Sequence, residues 1–250
     1  MPKKVVGCVL AGGMGTRMGT LTRITNKHLL PVYNKPMIFY PIQTLVNAGI
    51  KDIMIITGPE HAGDFVNLLG NGEEFGAKIT YGFQKKSGGI AEALSLCEDF
   101  VNSNPMVVIL GDNIFQNDIR DYVEAYEKDH AEACVFLKEV PDPERFGVPT
   151  IVGNSITKIT EKPTEPDTNY AVTGLYFYNP NVWEVIKSLA PSDRGELEIT
   201  DVNNWYIRNK CMGYVKLDGY WLDAGQIESL HEASCVIAKK HKKFKSKIKL

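Results

Sequence analysis

Four short stretches of this 250-residue chain carry residue types suited to phosphate chemistry. In Leu10-Ala11-Gly12-Gly13-Met14-Gly15-Thr16-Arg17, three glycines fall within four residues, directly after the apolar run Val5-Val6-Gly7-Cys8-Val9-Leu10. Such glycines let the chain turn sharply and bring bare backbone N–H groups against a ligand, and converging N–H groups make an anion-binding nest. Arg17 adds a fixed charge whose planar fork matches phosphate oxygens. The pattern predicts a loop that holds a nucleoside triphosphate. Lys27, in Asn26-Lys27-His28-Leu29-Leu30-Pro31, precedes an apolar segment able to hold its ammonium toward a cleft; a solvated lysine is the plainer alternative. Asp112 follows Met106-Val107-Val108-Ile109-Leu110-Gly111, and Asp223 closes Tyr220-Trp221-Leu222-Asp223. Each aspartate stands just past a short apolar strand, so the two would make a workable Mg²⁺ site if they converge. Mg²⁺ takes one or two carboxylates together with substrate phosphates. Gly111-Asp112-Asn113 alone is also good turn chemistry.

Other chemistries fit less well. Gly13 and Gly15 match the dinucleotide-binding fingerprint, but Met18 occupies its third position and Gly19 comes one place late, which disfavours a nicotinamide-dependent oxidoreductase. No Gly-Lys-Ser/Thr follows the loop to make a P-loop. There is no Gly-x-Ser-x-Gly elbow and no pair of histidines to act as nucleophile and base.

These residues need a scaffold that brings them to one rim. Apolar runs predict strands at Val5–Leu10, Asp52–Thr57, Lys78–Gln84 and Met106–Leu110, with helices over Pro36–Ala48, His61–Leu69 and Ile90–Phe100 between them. Strands alternating with helices predict a largely parallel sheet covered on both faces. Ligands bind such sheets beyond the carboxyl ends of the strands, which places the Gly12 loop, Gln84 and Asp112 along one edge. The second half reads as strands at Ala133–Val140, Val148–Ile151, Ile156–Glu161 and Tyr170–Tyr178. A helix is expected after Pro180, another after Arg194–Asp201, and a last one from about Gln226. The glycine inside Tyr170–Tyr178 allows another group to approach that backbone closely.

Length allows one large domain or two small ones. The five cysteines are scattered singly, with no Cys-x-x-Cys pair, so neither a disulfide framework nor a zinc site is indicated. No run is long enough to span a bilayer, and Met1-Pro2-Lys3-Lys4 leads straight into a strand, so a cytoplasmic protein without membrane attachment is expected. Residues 239–250 carry seven lysines and no acid; taking those charges from the net of −2 leaves −9 on the rest. A body that negative does not attract nucleic acid, so a bound nucleotide must be held by a few placed cations and a divalent metal. The lysine-rich tail reads as a solvated helix end.

In this order the motifs resemble one family, the sugar-1-phosphate nucleotidylyltransferases. Leu10–Arg17 looks like its signature, and Lys27-His28-Leu29-Leu30-Pro31, Leu110-Gly111-Asp112-Asn113, Glu161-Lys162-Pro163 and Trp221-Leu222-Asp223 follow in its sequence order. Asn113-Ile114-Phe115, Asp142–Val148, Tyr170–Tyr178 and Arg194–Asp201 look like the branch that joins dTTP to glucose 1-phosphate, in a short form. The resemblance runs from Lys3 to about Val236. It implies an α/β, Rossmann-like three-layer nucleotidyltransferase fold with a mainly parallel central sheet. One domain would span residues 1–238, with a nucleotide half to about 130 and a sugar half beyond, ahead of the tail at 239–250. It implies dTTP and α-D-glucose 1-phosphate as substrates, Mg²⁺ as cofactor, dTDP-glucose and pyrophosphate as products, and a homo-oligomer. By matching motif, Leu10, Gly12, Gly13, Gly15, Thr16 and Arg17 would hold the triphosphate, and Lys27 would neutralise charge near the leaving pyrophosphate. Gln84 would hydrogen-bond the pyrimidine edge, with Gly89 letting the base approach the backbone. Asp112 and Asp223 would bind the metal. Asn113, Gly147, Glu161 and Val172 would contact the glucose ring, and Lys162 and Arg194 its phosphate.

Some positions depart from the family pattern. Phe146 stands where many relatives have tyrosine, Met18-Gly19-Thr20 replaces a bulkier segment, and Val148-Pro149-Thr150 lacks an expected acidic residue. Long-form members carry further residues that form subunit contacts and an allosteric site, so feedback control and oligomeric state stay open. UTP or another sugar 1-phosphate is the nearest rival reading, and a non-catalytic sugar-nucleotide sensor a more distant one.

Overall fold

The computed structural model describes residues 4–86, 88–129 and 132–247. Its centre is a seven-stranded sheet: β1 Val6–Ala11, β2 Asp52–Thr57, β3 Lys78–Phe83, β4 Met106–Leu110, β5 Ala133–Glu139, β6 Tyr170–Tyr178 and β7 Met212–Lys216. The strands lie in the order β7-β5-β6-β4-β1-β2-β3. All neighbours are parallel except β6, which runs antiparallel to both β4 and β5. Leu10 of β1 lies opposite Ile56 on one side and Leu110 on the other, so the loops following β1 and β4 leave the same edge side by side.

Alternation along the strands divides the core in two. Val6, Cys8, Leu10, Met106, Val108, Tyr176 and Tyr178 point to one face; Val9, Ala11, Val107, Ile109, Leu175 and Phe177 point to the other. The first face is covered by helices Ile90–Ser95, Val182–Lys187 and Ile199–Arg208, and the second by Phe39–Asn47, Ala62–Leu69 and Arg120–Asp129. Helix, sheet and helix make the three layers expected. A third cluster of Val32, Met37, Ile114, Ala224 and Ala233 seats the last helix, Ile227–Lys247, on a small hairpin formed by Pro31–Val32 and Lys35–Pro36.

Several elements differ from the sequence reading. The glycine loop runs into a 3-10 helix, Thr16–Thr22, interrupted at Gly19. The helix expected from Pro36 starts at Phe39, because Pro36 is held in the hairpin. The helix expected over Ile90–Phe100 breaks after Ser95 and resumes as Glu98–Val101. β7, helix Arg120–Asp129 and the short strand Asn113–Phe115 were not anticipated. Helix Ile227–Lys247 runs on through most of the lysine-rich tail, whose residues 248–250 lie outside the described residues. Among the described residues no helix is long and apolar enough to cross a membrane.

Candidate active site

At the carboxyl edge of β1 and β4 lies an open cleft of about 350 Å³. That falls within the range of small-molecule sites. Gly12, Gly13, Arg17, Lys27, Gln84, Gly89, Asp112, Asn113, Gly147, Glu161, Lys162, Val172, Arg194 and Asp223 all line it, together with Leu10. Gly15 and Thr16 are not among its lining residues; Gly15, at φ +67°, forms the turn into the 3-10 helix and packs against Thr22 and Lys27.

The two aspartates meet through a pairing of three-residue strands. Trp221–Asp223 runs antiparallel to Asn113–Phe115, with Asp223 opposite Asn113, and Ala224 N donates to Asp112 O at 2.9 Å. Gly225 measures the result: a Cβ built on it would lie 2.9 Å from both Asp112 Oδ2 and Asp223 Oδ1, and 3.6 Å from Lys27 Nζ. Two carboxylates and an ammonium therefore surround one point. Lys27 is buried on the single 3-10 turn Lys27–Leu29, whose first N–H groups are capped by Asn26 Oδ1 accepting from His28 N at 3.0 Å. Its ammonium forms a buried ion pair with Asp112.

These neighbours set the charges. Burial pushes the Asp112 carboxyl up, but the Lys27 ammonium outweighs it and holds the group well below the usual carboxylate range. Asp223 lacks so close a cation; burial and the facing Asp112 charge push it up to about 6. Burial and the Lys27 charge bring His28 down to about 3, so it is neutral at physiological pH, with Nδ1 2.7 Å from Asn26 Oδ1. Asn113 is almost fully committed: Oδ1 accepts from Gly174 N at 2.9 Å and Trp221 Nε1 at 2.6 Å, while Nδ2 donates to Asp112 Oδ1 at 3.0 Å. One N–H of that amide is left for a ligand.

The far wall comes from the second half of the chain. Glu161 pairs with Gly147 across strands Ser155–Glu161 and Gly147–Val152. Lys162 then turns into the left-handed region at φ +44°, its N–H donating to Phe146 O at 2.9 Å. Lys162 Nζ lies 3.2 Å from Glu161 Oε1, and Thr200 Oγ1 donates to Glu161 Oε2 at 2.7 Å. Arg194 reaches both oxygens of Glu198 at 2.9 Å, with Glu161 and Glu196 at 3.7 and 3.8 Å. Both cations expected at the sugar phosphate thus stand among carboxylates that a phosphate must compete with.

Gly89 lines the cleft, but at φ +97° the space of its absent side chain is filled by the backbone of Leu197. That crossing by itself requires a glycine at this position. Sequence reading also passed over Arg145, Gln226, Glu92 and Glu198. With its amide turned toward the donors, Gln226 Oε1 accepts from Arg17 Nη1 at 3.1 Å and Arg145 Nη2 at 3.0 Å, joining the glycine loop to the second half of the chain. Arg145 lies within the motif Asp142–Val148, which is the signal that pointed to it; lone polar residues such as Gln226 carry none.

The chain matches the family model described as "Nucleotidyl transferase" over residues 6–240 and belongs to that family; it is an enzyme. Among curated relatives, glucose-1-phosphate thymidylyltransferase of Neisseria meningitidis is 45% identical over 236 residues, covering 92% of this chain and 82% of that one. The low-salt glycan biosynthesis nucleotidyltransferase Agl11 of Haloferax volcanii is 38% identical, covering 92% and 65%. A Bacillus anthracis crystal structure, described as a glucose-1-phosphate thymidylyltransferase in complex with a sucrose, superposes with a TM-score of 0.90 at 53% identity, covering 93% and 95%. A UDP-glucose pyrophosphorylase complexed with UDP-glucose gives 0.84 at 25% identity, covering 95% and 100%.

Proposed function

We propose that this chain transfers a thymidylyl group from dTTP to α-D-glucose 1-phosphate, giving dTDP-glucose and pyrophosphate. The observation that carries the reading is the meeting of Lys27, Asp112 and Asp223 at one point beside the Gly12 loop. Lys162 and Arg194 stand across the same cleft. A phosphate oxygen of the sugar attacks the α-phosphorus; a new P–O bond forms as the bond to the β-phosphate oxygen breaks and pyrophosphate leaves. The nucleophile is already anionic, so no general base is needed, in keeping with a neutral, enclosed His28.

The obstacle is repulsion between two polyanions, and the residues act on it by charge and position. Arg17 and the loop N–H groups hold the triphosphate. Lys27 neutralises the leaving end, Lys162 and Arg194 hold the incoming phosphate, and Glu161 and Gly147 face the sugar ring. Asp112 and Asp223 suit a divalent ion such as Mg²⁺: both are hard oxygen donors. Among the described residues no group of three or more His, Cys, Asp or Glu is placed to hold a metal on protein ligands alone, as expected for an ion that takes phosphate and water as its other ligands. When bound, such an ion supplies positive charge at the phosphates.

UTP is the second reading, supported by the likeness to the UDP-glucose pyrophosphorylase; one methyl on the base is worth only a few kcal/mol in a pocket. Pyrophosphate release, measured for each nucleoside triphosphate against each sugar 1-phosphate with and without Mg²⁺, tests both. The expected result is metal-dependent release fastest with dTTP and glucose 1-phosphate. Absence of release in every pairing overturns the reading.

A further inference from the structure

Gln84 follows β3 and is enclosed, only 6% exposed. Its Nε2 donates to Gly89 O at 3.3 Å and to the Glu92 carboxylate. A carboxylate only accepts, so the amide nitrogen must be the end that faces Glu92, and the oxygen must face away. That oxygen lies against Gly12, where any side chain on residue 12 would overlap it. Gly12 and Gln84 both line the cleft, and among the described residues no donor reaches Oε1. A buried amide therefore offers the cleft one acceptor of fixed identity.

We infer that Glu92 is a positioning residue for base selection. By locking the Gln84 amide, it makes the site prefer a base with an N3–H donor, the imide edge shared by thymine and uracil. Cytosine is refused because its N3 is an acceptor and would face Oε1. The inference rests on Gln84 meeting the base. The two ends of an amide have nearly the same shape, so its neighbour decides which end points where. Glu92→Gln keeps the shape of residue 92 but offers both a donor and an acceptor there, so only the long contact to Gly89 O still favours the original orientation of Gln84. In the turned orientation Nε2 opposes N3–H and suits cytosine.

The test compares kcat/KM for dTTP, UTP and dCTP in the parent enzyme, Glu92→Gln and Gln84→Ala. In Glu92→Gln the preference for dTTP over dCTP is expected to fall about tenfold. The fall is carried by KM for dTTP with kcat nearly unchanged, and the ratio of dTTP to UTP stays constant. A residue that only supported the fold would weaken all three nucleotides alike. Gln84→Ala should lose the same preference. If it does while Glu92→Gln keeps it, the lock assigned to Glu92 is wrong and the base contact stands. If Gln84→Ala keeps the preference, the base contact is wrong and the inference falls with it. Should Glu92→Gln not fold, Glu92→Met leaves only the long Gly89 contact and must shift the preference in the same direction.

Discussion

Replacing Asp223 by asparagine should stabilise the metal-free protein while disabling it. Burial and the facing Asp112 charge raise the Asp223 carboxyl from its ordinary 3.8 to about 6. Between those values the folded chain keeps a proton that the unfolded chain has released, so stability falls as pH rises from about 4 to 6. Below that window both states hold the proton and there is no penalty; above it neither does and the penalty is complete. Two pKa units and a little more correspond to about 3 kcal/mol. Asparagine has the same shape, carries no charge and keeps the Oδ1 that accepts the Gly225 N–H at 3.0 Å. With EDTA present, Asp223→Asn is therefore expected to gain about 2–3 kcal/mol at pH 7–8, a rise in Tm of roughly 5–10 °C for a chain of this size, and nothing at about pH 4. Turnover with Mg²⁺ should drop by a hundredfold or more. Unfolding curves across this pH range, with pyrophosphate release in parallel, provide the check. A difference that does not vary with pH, or a variant weaker than the parent at pH 8, would refute the claim that the two carboxylates repel each other in one cleft.

Gly225→Ala places a methyl group 2.9 Å from both Asp112 Oδ2 and Asp223 Oδ1; metal-dependent turnover should fall by roughly a hundredfold or more, with an unchanged circular dichroism spectrum. Lys162→Ala should slow turnover by a similar factor and raise KM for the sugar phosphate, and full activity would remove Lys162 from the site. Tyr178→Phe leaves Asn203 Oδ1, which accepts the Tyr178 hydroxyl at 2.5 Å, without that buried donor. Urea unfolding should record a loss of about 1–3 kcal/mol.

The central strands were legible because they are buried on both faces and read as largely apolar, β-prone runs: Val6–Ala11, Asp52–Thr57, Met106–Leu110 and Tyr170–Tyr178. Edge strand β7, Met-Gly-Tyr-Val-Lys, is half exposed and so lacks that signature. Among the described side chains of helix Arg120–Asp129, Val123 and Tyr126 are the buried ones, set among polar residues. The direction of β6 was not legible, since pairing depends on partners far away in the chain. Asp112 and Asp223 stood out as acids closing apolar runs. Their meeting depends on two three-residue strands too short for any periodicity. Glu92 and Gln226 are single polar residues whose significance lies wholly in what they touch.

The pairing of Trp221–Asp223 with Asn113–Phe115 has a consequence for synthesis of the protein. The glycine loop, Lys27 and Asp112 all leave the ribosome well before Asp223, and the helix that seats Asp223 against the hairpin at residues 31–36 emerges later still. A nascent chain can therefore fold much of its first half while lacking one of the two acids. Partly made molecules should be unable to carry out metal-dependent nucleotidyl transfer, and competence should arrive in a single late event when the last helix docks on the hairpin.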